Sequence, residues 1–284
     1  MPVGPGIAPG MVMATHPIAD AASHAAPWIE RLARLGFVAK GVLYLTIGVL
    51  SARSAIGAGG HTVTDSHDAM DVLNGAFGRP LLGILAVGLA GYGVWLLVSA
   101  VTDAEGHGRD AKGIATRVSA AIRGLVHLAL AGTAVSLALW QGSGGGHDEK
   151  ARHWTAHLLE APGGGYLVWG VAAGIGGYGI HQLYRAWSAQ LDKQLDLDLR
   201  DAARRVVIAI SRFGIAARAV VFVSIAVLFG RAALTHDANH AGGTGESMRE
   251  LFAFGRWPFA MIAAGVAAYG IYQLIEARFR RIRC

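Results

Sequence analysis

The chain has 284 residues, 53% of them hydrophobic and only 15% charged, with 40 glycines and a mean hydropathy of +0.42. This balance excludes an ordinary soluble domain of that length and makes the bilayer the expected solvent. The net charge of +6 does not point to nucleic acid, because the basic residues fall at the ends of apolar runs and no nucleic-acid-binding motif accompanies them.

Residues 1–30 are rich in glycine, proline and alanine, and they lack the basic start and apolar core of a signal peptide. They are predicted to form a disordered cytoplasmic tail. Six apolar runs follow. Three are free of charge: Pro80 to Thr102 with 23 residues, Gly163 to Tyr184 with 22 and Trp257 to Ile275 with 19. Each is close to the roughly 20 residues that cross a bilayer as a helix. The other three carry basic residues near their ends: Gly36 to Ile56 with Lys40 and Arg53, Val118 to Trp140 with Arg123, and Ile215 to Leu234 with Arg218 and Arg231. Long basic side chains can reach the interface from such positions, so these runs are also read as spans.

The connections alternate in charge. The N-terminal segment, the links after the second and fourth runs and the C-terminal tail hold 14 Lys and Arg, against five in the three opposite links. The positive-inside bias then predicts a multi-pass protein of the cell membrane with both termini cytoplasmic. Within the outer links, "DAMDVLNGAF", "WTAHLLEAP" and "SMRELFAFG" read as amphipathic surface helices anchored by Leu73, Leu158 and Leu251. Cys284, the sole cysteine, excludes an intramolecular disulfide and a thiolate metal cluster, and no cofactor motif is present.

The odd runs align without a gap as "GFVAKGVLYLTIGVLSAR", "SAAIRGLVHLALAGTAVS" and "GIAARAVVFVSIAVLFGR", and the even ones as "FGRPLLGILAVGLAGYGVW", "GGGYLVWGVAAGIGGYGIH" and "FGRWPFAMIAAGVAAYGIY". The predicted fold is therefore all-α and integral to the membrane: six transmembrane helices as three tandem two-helix repeats, at 31–107, 108–195 and 196–284, related by pseudo-threefold symmetry. Gly91-Tyr92-Gly93 and Gly177-Tyr178-Gly179 resemble a potassium-filter tripeptide, with Tyr269-Gly270 as a third copy. A filter needs irregular backbone after a short pore helix. These tripeptides instead lie within uninterrupted apolar runs, so they are read as packing elements: small residues for close helix approach, and a tyrosine filling the adjacent gap.

The repeated "GFVAKGVLYL...GVLSARSAIG" and "FGRPLL...GLAGYGVW" blocks resemble the bacterial membrane family catalogued as domain of unknown function 1206, over nearly all of Ala33 to Arg278. That resemblance implies six spans and no assigned activity. The middle repeat departs most, with His127 in place of Tyr44 and Phe222.

Lys40, Arg123 and Arg218 occupy one position in each repeat. Facing a common axis, they form a basic vestibule for an anion or a lipid headgroup; facing outward, they fix helix height at the lipid phosphates. His153 and His157 are four residues apart and can share a cation if another loop adds a third ligand. No nucleophile elbow, phosphate loop or intramembrane carboxylate pair is present, so an enzyme is not expected. The expected function is a structural or accessory membrane protein associating with itself, a partner protein or lipid. The alternatives are a permeation or solute-binding protein built on the basic vestibule, and extracytoplasmic metal binding.

Overall fold

The computed structural model describes residues 17–57, 66–103, 106, 108, 110–140, 147–188 and 201–279, and all regular structure among them is helical. The helices are α1 (Pro17–Ala55), α2 (Ser66–Phe77), α3 (Arg79–Thr102), α4 (Ala111–Trp140), α5 (His147–Glu160), α6 (Gly164–Trp187), α7 (Asp201–Thr235), α8 (Thr244–Ala253) and α9 (Arg256–Phe279). A single 3-10 turn, Ala238–His240, precedes α8. Helix α1 begins inside the stretch expected to be a disordered tail, where an alanine-rich sequence favours helix over coil. Residues 1–16, 280–284 and the His61 segment lie outside the described residues.

Five helices are long and apolar enough to cross a membrane: those over Arg34–Ala55, Arg79–Thr102, Ala111–Leu139, Ala202–Thr235 and Arg256–Phe279. The protein is thus a multi-pass membrane protein. Helix α6 has the same 24-residue length as α3 and α9 but is not among these five, its apolar residues being diluted by seven glycines together with His181, Gln182 and Arg185. The short α2, α5 and α8 fill the three outer connections, as their amphipathic sequences predict. Leu73 is buried in the bundle, as are Met70 of α2 and Met248 of α8, so these helices cap the core with their apolar faces.

The long helices pack in the order α4, α3, α1, α9, α7, α6. Three of these five seams join different repeats, and each is made at the second glycine of the tripeptide. A Cβ on Gly93 would lie 2.9 Å from the Gly124 carbonyl, one on Gly179 3.2 Å from that of Ala219, and one on Gly270 2.8 Å from that of Gly41. Gly41, Gly124 and Ala219 each directly follow the basic residue of their repeat. Backbone therefore meets backbone at equivalent points, as helices without hydrophobic drive in lipid require. Two of these seams are also capped alike. Arg117 donates to the carbonyls of Ala100 (2.6 Å) and Val101 (2.9 Å) at the end of α3, and Arg34 to that of Ala277 (2.7 Å) at the end of α9. Both satisfy carbonyls that a helix end leaves open.

The remaining two seams lie within repeats. Helices α1 and α3 close on Gly36 and Gly88, and α7 and α9 on Gly214 and Gly265, with no room for a Cβ at any of the four. The middle hairpin is different: among the described residues, α4 and α6 do not pack against one another. At the position of Gly36 and Gly214 this repeat carries Ser119. A side chain there would strike Tyr92 in the first repeat and the Tyr269 backbone in the third, so the helix pair cannot close as its counterparts do.

The sequence reading of Gly177 as a packing glycine is corrected by this opening. Gly177 is exposed with nothing within 4 Å of a built Cβ, and the same holds for Gly170 and Gly174. Gly270→Ala should therefore lower the unfolding free energy in detergent by about 1–3 kcal/mol, the usual effect of overpacking. Gly177→Ala should leave it within about 0.5 kcal/mol; equal losses would contradict the packing order.

Candidate functional site

At each seam between repeats the tripeptide tyrosine meets an aromatic side chain edge-on. Tyr92 meets His127 with ring centroids 4.8 Å apart, Tyr178 meets Phe222 at 5.1 Å, and Tyr269 meets Tyr44 at 4.9 Å, with interplanar angles of 71°, 81° and 83°. Tyr44, His127 and Phe222 each lie four residues beyond the basic residue of their repeat, one helical turn along the same face. The glycine contact brings the two helices close enough for the rings to meet, and such a pair contributes about 0.5–1.5 kcal/mol beyond its buried area.

Two of the three basic residues are held among these rings. The Lys40 ammonium lies 4.3 Å from the centre of the Tyr92 ring and 5.7 Å from that of Phe37. The Arg218 guanidinium lies 4.5 Å from Phe222, 4.8 Å from Tyr269 and 5.5 Å from Tyr44. It also donates to the hydroxyls of Tyr44 (3.3 Å) and Tyr178 (3.4 Å). Lys40 is 5% exposed and Arg218 8%. Both are packed inside the bundle rather than on its outer surface. Cation–π contacts of this kind are worth about 2 kcal/mol or more when water is excluded.

Arg123 is only half-buried. Its Nε donates to the Ser119 carbonyl at 3.2 Å, and with Arg117 and Asp103 it lines a small cleft between the ends of α3 and α4. All three cations are within electrostatic range of His127 and of Tyr178. The ring nitrogen Nδ1 of buried His127 is 2.7 Å from the Arg123 carbonyl oxygen. Beside Arg218, a second small cavity is lined by Tyr44, Ile47, Val221, Ile225, Met248 and Val266. Phe222 and Thr244 complete its walls, so beyond the guanidinium the lining is mostly apolar.

The centre carries positive charge with little to balance it. Among the described residues, no carboxylate lies within ion-pair distance of Lys40 or Arg218. Glu276 of α9 is buried and within electrostatic range of Lys40, and it accepts a 3.0 Å hydrogen bond from Gln273. Further outward, the middle of the bundle is closed by buried Leu43, Ile47, Leu85, Leu89, Val221 and Ile225.

The outer links use their acids otherwise. Asp148 and Glu246 pair with Arg152 (2.8 Å to Glu246) and Arg249 (3.0 Å to Glu246, 3.4 Å to Asp148), joining α5 to α8. The His153 and His157 rings do come together, with Nε2 atoms 3.2 Å apart on an exposed face. No group of three His, Cys, Asp or Glu able to hold a metal occurs among the described residues. The aromatic partners of the tyrosines and the Arg34 and Arg117 caps are missing from the sequence reading. Their signal is visible in the aligned repeats, since each lies at a fixed offset from the basic residue.

Comparison with known proteins agrees with the threefold internal pattern. The family described as Domain of Unknown Function (DUF1206) matches three times, at residues 35–103, 118–189 and 213–280. The chain is 30% identical over 263 residues to "Uncharacterized protein YxxB" of Bacillus subtilis (strain 168), a match covering 90% of this chain and 93% of the other. No solved structure matches it. With three tandem matches in register with the three hairpins, the chain belongs to the DUF1206 family.

Proposed function

We propose that this protein binds a small anion inside the membrane, at Lys40 and Arg218, and that it does so without catalysing a reaction. The observation that carries this is the burial of two cations in one aromatic-lined centre with no carboxylate bridging them. Desolvated charge of one sign is costly unless an opposite charge joins it. An anion between the two would supply that charge, with the Tyr44 and Tyr178 hydroxyls as further donors to it when they turn from Arg218. Arg123, within electrostatic range of the same groups, would draw the anion in through the cleft it lines.

The same reading takes α6 as a sixth span. It meets the first helix of another repeat as α3 and α9 do, and the three equivalent seams support a pseudo-threefold axis along the bundle. The excess of basic residues at the Arg34, Arg117, Arg212 and Arg278 end supports cytoplasmic termini. Binding is favoured over conduction because the outer half of the centre is closed by apolar side chains. An accessory role through glycine-lined faces has less support, since Gly93, Gly179 and Gly270 are used inside the molecule.

In neutral detergent, adding phosphate, sulfate or chloride to the purified protein should raise its melting temperature in a saturable way, by up to about 2.7 kcal/mol of added stability at a hundredfold excess over Kd. Lys40→Gln combined with Arg218→Gln should abolish that rise. Indifference of the unaltered protein to all three anions overturns the proposal. Liposomes containing the protein should show no chloride flux above that of empty liposomes; a flux removed by the double variant would favour a conduction pathway instead.

A further inference from the structure

The opening between α4 and α6 leads to the same cations. Its α6 wall is Gly170, Gly174 and Gly177, spaced four and three residues apart on one face, all exposed and with nothing within 4 Å of a built Cβ. In the other two repeats the residue equivalent to Gly174 (Gly88 or Gly265) is covered by its own partner helix. The inner end of this face is Tyr178, whose hydroxyl accepts from Arg218. On α4, buried His127 packs against Tyr92. Lys40 sits over the Tyr92 ring that meets His127, and it is within electrostatic range of Tyr178. It is more than nine-tenths buried, and no hydrogen bond from its ammonium is found among the described residues.

We infer that this opening is a lateral portal occupied by an acyl chain of an anionic bilayer lipid, whose head is held by Lys40 and Arg218. The inference rests on the anion-binding reading above and assigns the source of the anion. Charge complementarity selects the head, because the cations at the inner end of the groove have no carboxylate across from them. The wall selects the tail. Three uncovered glycines leave a shallow channel in which a hydrocarbon chain replaces the helix contact that Ser119 prevents, and within the bilayer only hydrocarbon is available to fill it. The groove runs from Tyr178 toward Gly170, away from the basic end of the bundle, so a chain lying in it continues into the hydrocarbon layer. On this reading an aqueous anion enters separately, by the cleft that Arg117 and Arg123 line.

The test compares lipid and free anion on the full-length protein. Protein is extracted, stripped of lipid, offered phosphatidylglycerol or phosphatidylcholine in mixed micelles, and examined by native mass spectrometry. Stabilisation by inorganic phosphate is measured in parallel. The unaltered protein should retain phosphatidylglycerol at least tenfold better than phosphatidylcholine. Gly174→Leu and, as a second variant one turn further out, Gly170→Leu should each lose that retention while keeping the response to phosphate. Because open space surrounds both positions, the melting temperature without ligand should be unchanged; it is measured to confirm folding. Retention of phosphatidylglycerol by both folded leucine variants at the unaltered level overturns the portal. So does the absence of any preference over phosphatidylcholine. Either result, with the phosphate response intact, leaves the anion site standing, whereas loss of both responses in the unaltered protein removes the site and the portal together.

Discussion

Everything in this bundle is placed by three points at which helix backbones touch. Gly93 against Gly124, Gly179 against Ala219 and Gly270 against Gly41 are contacts in which a Cβ on the tripeptide residue would come within 2.8–3.2 Å of a backbone carbonyl. In water, burying leucine would drive helices together; in lipid the tails are as apolar as leucine, and close packing of backbones has to take over. Once the spacing is set by glycine, the residues on either side follow. The tyrosine before each glycine must lie over the next helix, and the side chain one turn beyond the basic residue must be flat enough to receive it. Tyr44, His127 and Phe222 share a planar ring and little else in polarity, which suits a position chosen for shape.

The three repeats then differ where one contact fails. Ser119 replaces a glycine at the crossing point inside the middle hairpin, and α4 and α6 stay apart although their seams to α3 and α7 are intact. A single hydroxymethyl group is enough, because the other two hairpins have no slack at that position. The middle repeat is also the one with His127, with exposed Gly170, Gly174 and Gly177, and with a half-buried Arg123 in place of a buried cation.

Much of this was legible beforehand. Apolar runs of bilayer length and the threefold alignment gave the helices, the repeats and the family, and the shared position of Lys40, Arg123 and Arg218 marked the centre. Direction was not legible. A periodic pattern separates the faces of a helix in water, but a lipid-facing and a core-facing leucine look the same in sequence, so nothing in the runs distinguished inward from outward cations. Nor did composition tell that the equivalent Gly88 and Gly174 behave oppositely, one covered and one bare, since that depends on what Ser119 does more than 50 residues away in sequence. The weaker hydropathy of α6 has the same root: glycines suited to a close approach lower the very index by which a span is recognised.

The energetic asymmetry between the two ends of the bundle centre bears on what the site can be. Its outer half is filled by leucine, isoleucine, valine and methionine with almost no exposed surface. Its basic half holds Lys40 and Arg218 on aromatic faces, an arrangement that offsets part of the cost of burying charge but leaves its sign uncancelled. Aromatic rings attract a cation through a fixed quadrupole and carry no net charge, so a cage of tyrosines still draws an anion inward. A carboxylate in their place would have neutralised the cations and ended their use. Glu276 stands within electrostatic range of Lys40 and moderates the field, which helps make the centre tolerable to fold.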